Sequence, residues 1–228
     1  MLNDNLISIR QYEFEYLLRD LNLDLFENIL EIGPGDIPVT LFKEIKYYIG
    51  VEKTLENKKN NIHLLDNIDD LLNFDIRFVI ALNSIYFISD LDQFYLNFTK
   101  LNPKYFIYIL PTPTWRLWTS LSAYVAFFIR KNNENEGGSK KNYLLDMLFL
   151  KRHGVRGNRF NEFLYYRKKY WVSKFCDIHN GYNIHTKKIN IFYTGFNLLG
   201  KKLPIRYRKT ISKFLGSSSR IYVLSKSY

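Results

Sequence analysis

The chain has 228 residues and a mass of 27.4 kDa, enough for one domain with a real core and too little for an elaborate multidomain enzyme. Its 46% hydrophobic and 24% charged residues, with 11 glycines and 6 prolines, exclude a disordered or fibrous chain, and a single cysteine, Cys176, excludes a disulfide scaffold. The net charge of +11 is unevenly divided: residues 1–114 hold 10 Lys and Arg against 17 Asp and Glu, a balance of −7, while residues 115–228 hold 23 against 5, a balance of +18. Such asymmetry points to an anionic partner met by the second half, or else to a solvated basic surface.

In chain order, Ser8–Leu21 places Ile9, Tyr12, Tyr16 and Leu17 at helical spacing, so a leading helix is predicted. Phe26–Ile32 (FENILEI) is a short apolar run stopped by Gly33-Pro34-Gly35 and reads as a first strand. Val39–Ile45 suits a helix. Tyr47–Val51 (YYIGV) reads as a second strand ending at Glu52, and Ile62–Leu65 (IHLL) as a brief third. A fourth strand is expected at Ile76–Leu82, a helix at Leu91–Leu101 and a fifth strand at Tyr105–Leu110, closed by Pro111. Apolar strands alternating with helical patterns predict a mainly parallel sheet in an α/β fold.

The second half differs in texture. A helix is expected over Trp115–Arg130, a polar loop over Lys131–Lys141, renewed apolar periodicity over Tyr143–Leu150, and a helix from Arg159 or Asn161 to Cys176. Asn183–Tyr193 reads as a strand, the region near Ile205–Leu215 as a basic helix, and Arg220–Leu224 as a last strand. No cleavable leader pattern opens the chain, and its most apolar stretch, Leu121–Ile129, falls far short of the ~20 residues of a membrane span. A cytoplasmic protein is therefore expected, in solution or at the inner face of a membrane.

The sharpest local signal is Glu31-Ile32-Gly33-Pro34-Gly35 at the end of the first strand, with Glu52 closing the second strand about twenty residues on. Glycine permits close approach of the backbone to a ligand, and a carboxylate on the neighbouring strand end can accept hydrogen bonds from both ribose hydroxyls. A dinucleotide fits poorly, because the third glycine of G-x-G-x-x-G would fall at Pro38. A nucleoside cofactor without a diphosphate fits better.

This stretch resembles motif I of class I S-adenosylmethionine-dependent methyltransferases, and the likeness runs in order from Phe26 to Pro111. The resemblance implies a Rossmann-like fold with flanking helices and an acceptor-side helical insertion, with S-adenosyl-L-methionine as cofactor. It implies that Glu31, Gly33 and Gly35 form the cofactor turn, that Glu52 takes the ribose, that Asp66 and Asn67 lie near the adenine, and that Asn83 and Ser84 face the methionine moiety. Phe74-Asp75 matches a frequent pair before the fourth strand. The chain departs from the pattern at Ile37, where motif I has its last glycine, and at Phe87, where many relatives carry histidine. On this reading residues 1–228 form a single methyltransferase domain, with a cofactor-binding half (1–114), an acceptor-side helical insertion (115–182) and final strands with a basic helix (183–228).

Acceptor chemistry is sought after the fifth strand. Pro111-Thr112-Pro113-Thr114-Trp115-Arg116-Leu117-Trp118 offers two stacking faces, Trp115 and Trp118, and one anion-binding fork, Arg116. Arg152-His153-Gly154-Val155-Arg156-Gly157-Asn158-Arg159, with Glu162 beyond, holds the best general-base candidate, His153, whose ordinary pKa of ~6.5 suits it to accept a hydroxyl proton. Arg152, Arg156, Asn158 and Arg159 are candidates for an anionic substrate. Both segments are similar to short stretches of small methyltransferases of bacterial surface-polysaccharide assembly. His63, His179 and His185 carry no recognisable metal-ligand spacing.

Lys201, Lys202, Arg206, Arg208, Lys209 and Lys213 interleave with Leu203, Ile205, Tyr207, Ile211, Phe214 and Leu215, a basic amphipathic segment suited to anionic lipid, glycan phosphate or nucleic acid. The sequence as a whole reads as an O-methyltransferase of a small or glycan-like anionic acceptor, such as a nucleotide- or lipid-phosphate-linked sugar. Its alternatives are an RNA methyltransferase and a non-catalytic basic adaptor. Against base methylation, Asn83-Ser84-Ile85-Tyr86 stands where nucleic-acid amino-methyltransferases carry Asn/Asp-Pro-Pro-Tyr/Phe.

Overall fold

Strands buried along almost their whole length lie where both faces of a sheet are covered, and three such strands stand side by side here. In the computed structural model, which describes residues 4–21, 28–33, 37–39, 47–51, 75–88, 91–99, 101–122, 163–194 and 203–226, these are β1 (Asn28–Ile32), β3 (Phe78–Leu82) and β4 (Tyr105–Pro111). With β2 (Tyr47–Val51), β5 (Tyr182–Ile189) and β6 (Ser219–Lys226) they form one six-stranded sheet in the order β2-β1-β3-β4-β6-β5. The first four neighbours run parallel. β6 pairs antiparallel with both β4 and β5, so that Ser219 lies opposite Pro111 at the carboxyl end of β4.

Alternation along each strand supplies two cores. Leu30, Val79, Ala81, Phe106, Tyr108 and Tyr222 point to one face, where they pack with Tyr95 and Phe98 of α2 (Leu91–Thr99) and Trp171 and Phe175 of α4 (Lys168–Ile178). Ile29, Phe78, Ile80, Leu82, Ile107, Ile109 and Val223 point to the other, under Ile9, Phe14 and Leu17 of α1 (Asp4–Leu21). The expectation of a Rossmann-like α/β fold with a mainly parallel sheet thus holds, β6 being the one described strand that runs against its neighbours. Edge strand β5 keeps one row of side chains exposed, which suits its T-K-K segment.

Helix α3 covers 113–122 of the described residues and starts two positions earlier than the sequence suggested. Thr112 is the reason: its Oγ1 accepts the Trp115 N–H at 3.3 Å as an N-cap, and Pro113 takes the first helical position, where no N–H is needed. Helix α5 (Ile205–Leu215) falls where a basic helix was expected. No helix among the described residues is long and apolar enough to cross a membrane.

Two expectations need correction. The helix predicted to run from residue 159 or 161 to Cys176 is interrupted at Tyr166-Arg167, and α4 begins after Arg167, whose backbone is extended (φ −69°, ψ 141°). Both Tyr165 and Tyr166 are buried, and the break lets consecutive side chains enter the same core, which an unbroken helix spaces about 100° apart. The strand predicted over Asn183–Tyr193 ends at Ile189. Beyond it the Ile191 N–H turns back to Ile189 O (2.7 Å), while Ser218 binds Ile191 O through its N–H and both backbone groups of Tyr193 through its hydroxyl. The predicted third strand at 62–65, most of the helix at 39–45, and the segments at 131–141 and 143–150 lie outside the described residues.

Candidate functional site

In an open α/β sheet, ligands bind outside the carboxyl ends of the strands where the connections diverge. Here β2 lies on one side of β1 and β3 on the other, so that point falls between β1 and β3. Gly33, the first residue beyond β1, adopts φ +64°, and a Cβ built on it would stand 2.6 Å from the Ser84 Cβ. Ser84 also donates its hydroxyl to Ile32 O at 2.5 Å. The two strand ends are therefore drawn together at a contact that admits only glycine on the β1 side.

Glu31, on β1, is buried and accepts the Val39 N–H at 3.0 Å, so its carboxylate braces the chain where it returns from the glycine turn. Asn83 follows β3 in the left-handed region (φ 55°), which asparagine tolerates better than most residues. Its N–H donates to Ile109 O (2.7 Å), tying β3 to β4, and its Nδ2 donates to Glu13 Oε2 (3.4 Å). The Asn83 Oδ1 is buried with no hydrogen-bond partner among the described residues.

Beneath these strand ends lies a polar cluster that the sequence reading missed. Glu13 of α1 is fully buried and accepts hydrogen bonds from Arg10 Nη1 (3.0 Å), Asn83 Nδ2, Tyr193 OH (3.1 Å) and the Ser219 hydroxyl. The Tyr193 and Ser219 oxygens lie 2.6 Å apart, so one of the two hydroxyls shares its single proton between Glu13 and the other. One carboxylate thus joins α1, the end of β3, the segment after β5 and the start of β6. Burial, followed by the Glu13 charge, holds the Tyr193 phenol well above its usual 10, and burial pushes nearby Tyr86 up to about 12. Both phenols stay protonated near neutrality, and Tyr193 serves as a donor rather than a base. A signal was present: Glu13 interrupts the apolar stripe that Ile9, Tyr16 and Leu17 form on α1, and a charge in that position requires buried partners.

Of the residues singled out from sequence, Glu31, Gly33, Asn83 and Ser84 converge on this edge. Trp115 is buried, its ring edge-on to Tyr166 at 5.8 Å, and Arg116 beside it is buried as well, so neither presents a surface face. Trp118 is half-buried, with its ring 5.9 Å from Phe192 and its Nε1–H donating to Leu215 O at 3.1 Å. Gly35, Glu52, Asp66, Asn67, Arg152, His153, Arg156, Asn158, Arg159 and Glu162 lie outside the described residues. His179, dismissed as a ligand, is buried in the core and bonded through Nε2 to Tyr108 OH at 2.9 Å.

No protein-family model and no curated protein matches the chain. Solved structures do. The methyltransferase domain of bacterial CtHen1-C aligns with a TM-score of 0.52 at 12% identity over 96% of this chain and 99% of that one. An S-adenosylmethionine-dependent methyltransferase from Mesorhizobium loti aligns with a TM-score of 0.51 at 10% identity over 94% and 98%. At such identities the likeness establishes the fold: a Rossmann-like methyltransferase fold, with a mostly parallel sheet between helices, spanning nearly the whole chain.

Proposed function

We propose that the protein is a S-adenosylmethionine-dependent O-methyltransferase of a small or glycan-like anionic acceptor, such as a nucleotide- or lipid-phosphate-linked sugar. The observation that carries the reading is the edge where Gly33 meets Ser84. There the positive φ of Gly33 turns the chain sharply out of β1, its missing Cβ leaving room for Ser84, and the Asn83 Oδ1 beside it is a buried acceptor with no donor among the described residues. Both features suit a nucleoside-bearing cofactor with an amino group. S-adenosylmethionine, when bound, supplies a methyl group already activated on a sulfonium.

In this reading Gly33 and Gly35 form the turn against the cofactor, Glu31 braces that turn, Asn83 and Ser84 border the methionine end, and Glu52, Asp66 and Asn67 take the ribose and adenine. The protein's own work is alignment of the acceptor and removal of one proton. His153 accepts the proton of the acceptor hydroxyl, Glu162 orients it, and Arg152, Arg156, Asn158 and Arg159 hold the anionic group. Trp118 offers a ring at the same edge. Arg116 adds positive charge from within. Residues 1–114 serve the cofactor, 115–182 the acceptor, and 183–228 complete the sheet.

The direct test is incubation of the protein with methyl-labelled S-adenosylmethionine and fractionated cell extract, followed by mass spectrometry. Label in a phosphate-bearing sugar or glycolipid supports the reading. Label confined to RNA would replace the acceptor class, and no transfer to any fraction would refute it.

A further inference from the structure

Helix α5 turns two polar side chains inward beside the partly buried Ile205. Its inward stripe carries Arg208 and Ser212, four residues apart, and both are buried. Arg208 donates through Nε to Leu203 O (2.9 Å) and through Nη1 to Phe192 O (3.2 Å), so this cation staples the helix to the body and does not reach a partner as the sequence pattern suggested. The aromatic residues are turned the other way. Phe214 is 82% exposed and Tyr207, two turns earlier on the same stripe, is 46% exposed. Arg206 and Lys213, spaced alike, flank them and are exposed, whereas the Lys209 ammonium lies over the Tyr12 ring of α1 at 4.4 Å.

A second exposed apolar row stands beside this one. On α3, Leu117 and Leu121 are 49% and 42% exposed, one turn apart. The Trp118–Leu215 hydrogen bond joins the two helices, and Gly216 (φ +87°), which ends α5, approaches the Thr114 side chain so closely that a Cβ would stand 2.9 Å from its Cγ2. Both helices meet where β6 begins opposite the end of β4, at the carboxyl edge that holds Gly33 and Asn83.

We infer that the outer faces of α5 and α3 form a docking surface for an anionic lipid bilayer, with Phe214, Tyr207, Leu117 and Leu121 entering the interface and Arg206 and Lys213 meeting the headgroups. Exposed aromatic and aliphatic side chains flanked by cations on one helix face are the composition of interfacial helices, and the balance of +18 in residues 115–228 supplies long-range attraction of the right sign. A nucleic acid would use the cations but would leave the leucine pair and most of Phe214 without a role. That acceptors enter from the bilayer at this edge rests on the methyltransferase reading. The docking itself does not, because it needs no cofactor.

The test is co-sedimentation with phosphatidylcholine vesicles, with and without phosphatidylglycerol, at low and high salt. Binding is expected only with phosphatidylglycerol and should weaken as salt rises. Phe214→Ser, at a position too exposed to disturb the core, should weaken binding about tenfold, by loss of one buried aromatic side chain, and Lys213→Glu should weaken it several-fold, with unchanged circular dichroism in each. Three results would overturn the inference: equal vesicle binding by Phe214→Ser and the parent protein; retention on single-stranded RNA without retention on vesicles; or a dimer in sedimentation that Phe214→Ser dissolves. Vesicle binding without methyl transfer would leave the docking standing and remove the enzyme.

Discussion

A Cβ placed on Gly33 would lie 2.6 Å from that of Ser84, a separation real side chains do not tolerate. The carboxyl ends of β1 and β3 close on each other through this missing atom and through the Ser84 hydroxyl bond to Ile32 O. Gly33→Ala should therefore cost stability twice, by the positive φ and by the clash. Roughly 1–3 kcal/mol is expected, read as a lower urea midpoint. Ser84→Gly would remove the clashing side chain and should restore part of the loss in the double variant, whereas strict additivity would mean that the two positions do not press on each other.

Glu13 is the knot of the buried cluster. Removing it leaves the Arg10 guanidinium, Asn83 Nδ2 and two hydroxyls without their acceptor. Arg10 retains some solvent contact, so the penalty falls below that of a wholly buried ion pair, and Glu13→Ala should destabilise by roughly 2–4 kcal/mol. Arg10→Ala should cost less. A cycle with Tyr193→Phe should show coupling, because their bond is direct; an effect of Glu13→Ala below about 0.5 kcal/mol would show that the cluster contributes no net stability.

Burial lowers the pKa of His179 from 6.5 to about 3, since a charged imidazole finds no solvent between Tyr95, Phe106 and Phe175. The Tyr108 phenol, held well above 10 by burial, keeps its proton and is hydrogen-bonded to Nε2. Between pH 6.5 and about 3 the unfolded chain binds a proton at this histidine that the folded chain does not. Stability from this group is thus complete above pH 6.5 and falls as the pH drops, by about 1.4 kcal/mol per unit. Because carboxylates titrate in the same range, the measurement is the difference between the parent and His179→Gln in urea unfolding at several acidic pH values. The variant should show the shallower slope, and parallel curves would contradict burial of a neutral imidazole.

Much of this architecture was legible from local pattern. FVIAL and YFIYIL are unbroken apolar and aromatic runs that suit central strands, and the glycine beyond FENILEI marked the carboxyl edge of the sheet. Asn83 and Ser84 followed from their place at the end of a strand. What escaped depends on residues distant in sequence. Glu13 bonds Tyr193 and Ser219 across 180 and 206 positions, so no window along the chain displays the cluster. Asn190, where β5 stops, looks like any polar residue in an alternating strand, and the stop is imposed by Ser218. Trp115 read as a stacking face because it follows a strand, yet Tyr166 covers it. Arg208 read as one more surface cation, although its carbonyl partners make it a staple.

The proton-transfer role proposed for His153 separates from cofactor binding. His153→Ala should leave S-adenosylmethionine affinity within about twofold while turnover falls by 10²–10⁴, the range of general-base catalysis. Unchanged turnover would remove His153 from the mechanism and leave alignment as the enzyme's main device.

Isothermal titration of the protein with S-adenosylmethionine and S-adenosylhomocysteine, compared with Gly33→Val, tests the account at its centre. One-site binding to the parent chain, abolished in a Gly33→Val protein that keeps its circular dichroism spectrum, is the predicted result. Absence of binding at millimolar ligand, or affinity undiminished by valine at position 33, would contradict the assignment of this sheet edge as the cofactor site.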